Sequence, residues 1–239
     1  MKKITPFLLA TLSAILLSSC ALRGGAVTQN TDVRSPEVTQ TAPATSETPS
    51  AGIITPEPAD NEFVRIADYI PDVLVNLKYA TPENFTGHTI YTFQDAYLRY
   101  GTVKKLASAA DELRGQGFRL LIWDAFRPTA AQWKLWKACP NAAYVSNPNK
   151  GYSSHSRGNT VDVTLALPDG TPAEMPSGFD DFTARADRDY SDVSAVPAQN
   201  AALLETVMKK YGFKPYSAEW WHFSDETAYP VEESFVPDK

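Results

Sequence analysis

Apolar and polar positions first fall into a regular rhythm at Val73-Leu74-Val75-Asn76-Leu77-Lys78-Tyr79, where Val73, Val75, Leu77 and Tyr79 share one face. A period of two predicts a strand. The period then lengthens. Val103, Leu106, Ala107, Ala110 and Leu113 fall on one side of a helix that Gly115 and Gly117 end. Phe118 to Trp123 is a short apolar run between turn signals, which predicts a buried strand. Pro128 suits a first helical position, so a second helix is expected from Pro128 to Trp136. Val161 to Leu167 predicts another strand, closed by Pro168-Asp169-Gly170. A helix is expected from Gln199 to Tyr211, with Gly212 as its stop, and an extended segment within Phe213 to Phe223. Helices and strands mix without a βαβ rhythm. The expected fold class is α+β, a single domain with a small, mostly antiparallel sheet flanked by helices.

The pattern before residue 62 is different. Lys2 and Lys3 precede a short apolar run from Phe7 to Leu17, then Ser18, Ser19 and Cys20. The run is short for a membrane span and reads as a secretory leader. Leu17-Ser18-Ser19-Cys20 resembles a bacterial lipobox, in which the cysteine is acylated and becomes the mature N-terminus. The leader is expected over 1–19. Thr, Ser, Pro, Ala and Glu then dominate, as in TQTAPATSETPSAG. Such a stretch buries too little apolar surface to offset its chain entropy, so residues 20–61 are expected to be lipidated Cys20 and a disordered tether. The folded domain is expected over 62–239. The chain would be exported and lipid-anchored to a bacterial membrane, on its periplasmic or cell-surface side.

Composition narrows the function. The 239 residues carry a formal net charge of -6, and removing Lys2 and Lys3 makes it -8. No basic cluster follows the leader, so a nucleic-acid partner is not expected. Two cysteines, Cys20 and Cys139, are too few for a thiolate zinc site. Any metal must rest on histidines and carboxylates.

The chain has three histidines, and two stand in suggestive settings. His155 sits in Ser153-Ser154-His155-Ser156-Arg157-Gly158-Asn159-Thr160-Val161-Asp162, a Gly- and Ser-rich turn that enters a strand. Asp162 falls on the strand face opposite Val161 and Val163. His222 ends Glu219-Trp220-Trp221-His222. His155, Asp162 and His222 make a three-ligand set with a free fourth position, as in a catalytic zinc site. Glu219 is then the candidate base for a water that the metal activates. An ideal strand would point Glu219 and His222 to opposite faces, so a bend or bulge is expected at Trp220-Trp221. His88 is read as a surface residue. Cys139 and the tryptophans Trp133, Trp136, Trp220 and Trp221 are read as packing groups.

SSHSRGNTVD resembles the SxHxxGxxxD motif of the D-alanyl-D-alanine dipeptidases of the VanX type, and EWWH resembles their ExxH motif. Two further segments match that branch: Lys78-Tyr79-Ala80-Thr81 with Asn84-Phe85-Thr86-Gly87, and Trp123-Asp124-Ala125-Phe126-Arg127-Pro128. The similarity spans about Val75 to His222. It implies zinc held by His155, Asp162 and His222, with Glu219 as the base. It implies Arg127 as the group that stabilises the oxyanion. Tyr79, Ser153 and Asp180 match positions that hold the dipeptide's ammonium end. The implied activity is hydrolysis of free D-Ala-D-Ala. A D,D- or L,D-carboxypeptidase acting on peptidoglycan stems and a non-catalytic zinc domain are the alternatives.

Overall fold

The computed structural model describes residues 56–238. The expected leader, Cys20 and nearly all of the expected tether lie outside the described residues.

Ten elements follow in order. They are β1 (Phe63–Arg65), β2 (Leu74–Val75), β3 (Tyr97–Arg99), α1 (Tyr100–Gly115), β4 (Arg119–Asp124), α2 (Thr129–Ala138), β5 (Thr160–Ala166), α3 (Ala195–Lys210), β6 (Phe213–Tyr216) and β7 (Glu219–Asp225). The main sheet has the order β2-β4-β5-β7-β6. Only β2 and β4 pair in parallel; the remaining pairs of this sheet are antiparallel. β1 and β3 form a separate antiparallel pair. The fold is α+β, as the mixed pattern predicts.

The sheet has a reason to sit where it does. Val161, Val163 and Leu165 of β5 join Leu106 of α1 and Leu204 and Met208 of α3 in one core. Alternation then sends Asp162 and Thr164 to the other face, where they too are buried. Burying both faces suits a central strand, and β5 lies third of five.

Several boundaries differ from the sequence pattern. The expected strand over 73–79 is only Leu74–Val75, and Lys78–Ala80 forms a 3₁₀ turn. Asn76 still donates to the Ile122 carbonyl, but the chain then turns inward. The turn buries Tyr79 among Tyr91, Phe85 and Phe179. α1 begins at Tyr100, three residues before its first periodic apolar position, because Tyr100, Gly101 and Thr102 are themselves buried. Pro128 caps α2 from just outside it. α3 begins at Ala195 and carries Pro197 in its first turn, where a missing N–H costs nothing. Residues 57–61, expected in the tether, touch the domain. Asp60 pairs with Lys104 at 2.7 Å, the Asn61 carbonyl accepts from Arg99 at 2.6 Å, and Glu57 accepts from the Tyr100 hydroxyl.

Trp220 and Trp221 are core, packed on Trp123 at ring distances of 5.5 and 6.4 Å. Trp133 is not; it is 36% exposed. His88 is exposed. Cys139 is half-buried and free.

Candidate active site

Backbone register brings the first two candidate ligands together. Asp162 of β5 stands directly opposite His222 of β7. Paired residues on antiparallel strands point the same way, so carboxylate and imidazole share a face. Asp162 Oδ1 lies 3.0 Å from His222 Nδ1. On the other side of β7 the register breaks. Pro215 pairs with Phe223, but the next residue, Tyr216, pairs with Glu219. Trp220 to His222 therefore fall between two successive β6 partners and bulge. The bulge cancels the strand alternation and leaves Glu219 Oε2 3.5 Å from His222 Nδ1.

His155 comes from a 3₁₀ turn, Ser154–Arg157. Ser153 opens the turn by accepting from the His155 N–H, and Gly158 closes it with φ of 74°. His155 Nδ1 faces the Ala125 carbonyl at 2.8 Å. A carbonyl only accepts, so Nδ1 carries the proton and Nε2 presents its lone pair. That lone pair faces Asp162 Oδ2 at 3.3 Å and His222 Nδ1 at 3.3 Å. Asp162 Oδ1 is buried yet accepts no hydrogen bond. Lone pairs aimed at one another in a buried place repel unless a cation sits between them. One ligand atom from each of His155, Asp162 and His222 lies within 4.8 Å of the others. Two imidazoles and a carboxylate therefore fit one divalent cation. Burial acts to raise the Asp162 pKa, but imidazoles that carry a proton toward it outweigh burial and hold the group below the usual carboxylate range. A divalent cation in place of those protons would act in the same direction.

Arg127 follows β4 and points into the same space. Its Nε and Nη2 donate to Asp124 Oδ2 at 2.9 and 2.6 Å, and Nη1 donates to Gln132 Oε1 at 3.0 Å. Asp124 is itself fixed: its Oδ1 accepts from the Tyr91 hydroxyl at 2.7 Å and from the Ala125 N–H at 2.9 Å. Burial opposes the charge on Arg127, and Asp124 more than offsets it, so the guanidinium stays cationic. Arg127 Nη2 lies 3.9 Å from Asp162 Oδ2. The ion pair with Asp124 and a position beside the candidate metal site thus coexist.

At the other side stands Asp180. The Tyr79 hydroxyl donates to its two oxygens at 3.2 and 3.0 Å. Burial pushes the Asp180 pKa up to about 8, although the Tyr79 hydrogen bond pulls it down. Asp180 adopts φ of 55°, a conformation that aspartate tolerates better than most residues. Burial likewise raises the Glu219 pKa, against the opposing pull of His222.

Tyr79, Arg127, Ser153, His155, Asp162, Asp180, Glu219 and His222 all line one cleft of about 270 Å³. All eight candidate residues within the described part of the chain are thus brought together. Cys20 lies outside the described residues. Three participants carry no sequence signal. Gln132 and Tyr91 steady Arg127 and Asp124 from a helix and a loop. Tyr144 lines the cleft from the segment after α2 and stacks on Phe182 at 4.5 Å. Only the WDAFRP resemblance points near the first pair, and only at Asp124 and Arg127.

The sequence profile described as D-ala-D-ala dipeptidase matches residues 59–237. Three curated relatives carry the name D-alanyl-D-alanine dipeptidase. That of Escherichia coli K12 is 37% identical over 172 residues, covering 71% of this chain and 89% of the relative. That of Enterococcus faecium is 34% identical and covers 67% and 90%. That of Streptomyces coelicolor is 33% identical and covers 68% and 91%.

Proposed function

The chain belongs to the D-ala-D-ala dipeptidase family of peptidases, and from that premise we propose that it hydrolyses free D-alanyl-D-alanine with the help of one zinc ion. The observation that carries this reading is the convergence of one ligand atom each from His155, Asp162 and His222 beside the Glu219 carboxylate, with Asp162 Oδ1 buried and unpartnered. His155, Asp162 and His222 would hold the ion. Zinc bound there would supply Lewis acidity, making a water more acidic and a carbonyl more electrophilic.

The chain's own groups do the rest. Glu219 accepts a proton from the attacking water and passes it to the leaving amine. Its raised pKa makes it better at both tasks near neutral pH than an ordinary glutamate. Arg127, held by Asp124 and Gln132, offers fixed N–H groups to the carbonyl oxygen as negative charge develops there. Asp180 takes the substrate's ammonium, with Tyr79 fixing the carboxylate and the Ser153 hydroxyl close by on the cleft wall. A cleft of about 270 Å³ is at the small end for ligand sites, which suits a dipeptide.

A non-catalytic zinc domain would have no use for a half-buried carboxylate at Glu219 beside His222. A D,D- or L,D-carboxypeptidase would need room for an extended stem, and no feature of the cleft favours it over the dipeptidase. We also propose that Cys20 carries a lipid and that the enzyme works outside the cytoplasm, tethered to a membrane in the cell envelope. The leader and the lipobox-like segment support this.

Elemental analysis of the purified chain tests the metal, and a substrate panel tests the chemistry. One zinc per chain is expected, lost in His155→Ala and in His222→Ala. D-Ala-D-Ala is expected to be cleaved in preference to a pentapeptide stem and to L-Ala-L-Ala. Full zinc retention in both variants, or preference for the pentapeptide, would overturn the reading.

A further inference from the structure

Arg188 belongs to none of the motifs, and its side chain is only 10% exposed. Its guanidinium meets the bulged hairpin of β6 and β7 at three backbone carbonyls. Nε donates to the Tyr216 carbonyl at 2.8 Å. Nη2 donates to the carbonyls of Glu219 and His222, each at 3.1 Å. The Arg188 N–H donates to the Ser217 carbonyl at 3.3 Å. The remaining fork of the guanidinium, Nη1, donates to Glu205 Oε2 of α3 at 2.9 Å. The plane rests on the Phe223 ring at 4.6 Å.

The bulge explains why such a clamp is needed. Where Trp220 to His222 leave the β6 register, their stretch of backbone loses its ladder partners on the β6 side, while His222 stays paired with Asp162 of β5. A poorly satisfied carbonyl in a half-buried strand is costly, and the strand would regularise to recover its bonds. Regularising would restore alternation and swing Glu219 away from His222.

We propose that Arg188 is a positioning residue for the hydrolysis: it holds the bulge open through the carbonyls of Glu219 and His222, so that base and metal ligand face the same point. This inference rests on the zinc dipeptidase reading. Arg188 touches neither substrate nor metal and acts only through the backbone. Glu205 aims it from α3, and Phe223 supports its face. A lysine could keep the ion pair with Glu205, but one ammonium cannot reproduce a planar fork spread over three carbonyls and a carboxylate.

The test compares Arg188→Lys with a control that acts on the same strand, β7, from helix α1: Lys105→Met. Lys105 pairs with the buried Asp225 at 2.5 Å, at the end of β7 away from the cleft. Three quantities are read: zinc affinity by competition with a chelator, kcat and KM for D-Ala-D-Ala, and Tm. Arg188→Lys is expected to lose about 10- to 100-fold in zinc affinity and in kcat, as outer partners of metal ligands do, with KM nearly unchanged. Lys105→Met is expected to lower Tm while leaving zinc affinity and kcat at wild-type values. Wild-type zinc affinity and kcat in Arg188→Lys would overturn the proposal, as would equal losses in Lys105→Met. Should Arg188→Lys fail to fold, Glu205→Leu removes the group that aims the guanidinium. It should weaken zinc binding in the same direction, and unchanged zinc affinity there would overturn the proposal. Zinc competition needs no substrate, so a chain that binds zinc but spares D-Ala-D-Ala would sink the dipeptidase reading and leave this inference to be decided on zinc alone. A wild-type chain that binds no zinc would overturn both.

Discussion

Three carboxylates in one small cleft differ in chemistry because their neighbours differ. Asp162, between two imidazoles, is held in its charged form. Glu219 and Asp180 are pushed the other way by burial. Glu219→Gln keeps the size and polarity of the side chain but cannot accept a proton. It should retain the metal and lose about 10²- to 10⁴-fold in kcat, measured by steady-state kinetics beside elemental analysis. Asp180 gives a pH signature. Its folded pKa of about 8 is above the ordinary 3.8, so the folded chain binds this proton more tightly than the unfolded one. The sign follows from linkage: stability from this group is full at low pH and is lost as pH rises through about 8. Ammonium binding needs the opposite state, the carboxylate. KM for D-Ala-D-Ala should therefore rise as pH falls below about 8, and Asp180→Asn should flatten that dependence while raising KM throughout. A KM independent of pH in the wild-type chain would count against Asp180 as the ammonium site. The three residues that converge, His155, Asp162 and His222, were legible at this scale because few histidines exist and their spacing is informative. Arg188 was not legible: it sits in a loop with Asp187 and Asp189 beside it, and its partners are carbonyls, which leave no mark in a sequence.

Among the elements, the turn that carries His155 is the most constrained. Gly158 has φ of 74°, and a Cβ there would lie 2.4 Å from Phe63 Cε1 and 2.6 Å from Cζ. Phe63 cannot easily retreat, because it stacks on Phe235 at 4.2 Å with Arg99 over its ring at 4.2 Å. Gly158→Ala combines a left-handed backbone with overpacking and should cost roughly 2–4 kcal/mol of stability. Chemical denaturation measures this, and zinc competition should show weaker binding as the turn shifts. An unchanged denaturation midpoint would mean that the turn is slack. Helices were readable here because the 3.6-residue period extends over many positions. Their starts were not, since Tyr100 to Thr102 are buried without fitting an apolar stripe. The expected strand over 73–79 failed for a related reason. Its alternation is real, but only Leu74–Val75 finds a neighbour, and Tyr79 has a better place in an aromatic cluster. The bulge was inferable only because Glu219 and His222 were assumed to cooperate.

At the scale of the whole molecule, the chain after β7 returns to close the site from behind. The Glu232 N–H donates to the Ser156 carbonyl at 2.8 Å, and Glu232 pairs with Arg99 at 3.2 Å. The Ser156 hydroxyl in turn donates to the Arg127 carbonyl at 2.9 Å. The turn of His155, the backbone at Arg127 and the C-terminal segment are thus one connected structure. Among the described residues no helix is long and apolar enough to cross a membrane. The proposed attachment rests on the lipobox-like segment at Cys20. Cys20→Ala should release the enzyme from the membrane fraction with its specific activity intact, as cell fractionation would read. A variant still in the membrane pellet would point to an uncut leader. Under the proposed dipeptidase reading, the free amine of the dipeptide would separate this chain from a carboxypeptidase. An N-acetyl group removes the charge that Asp180 needs and adds bulk in a cleft of about 270 Å³. A charge pair broken on one side costs about 3–5 kcal/mol, so kcat/KM for N-acetyl-D-Ala-D-Ala should fall at least about a hundredfold below that for D-Ala-D-Ala. Equal values, or a preference for the acetylated peptide, would contradict the dipeptidase assignment.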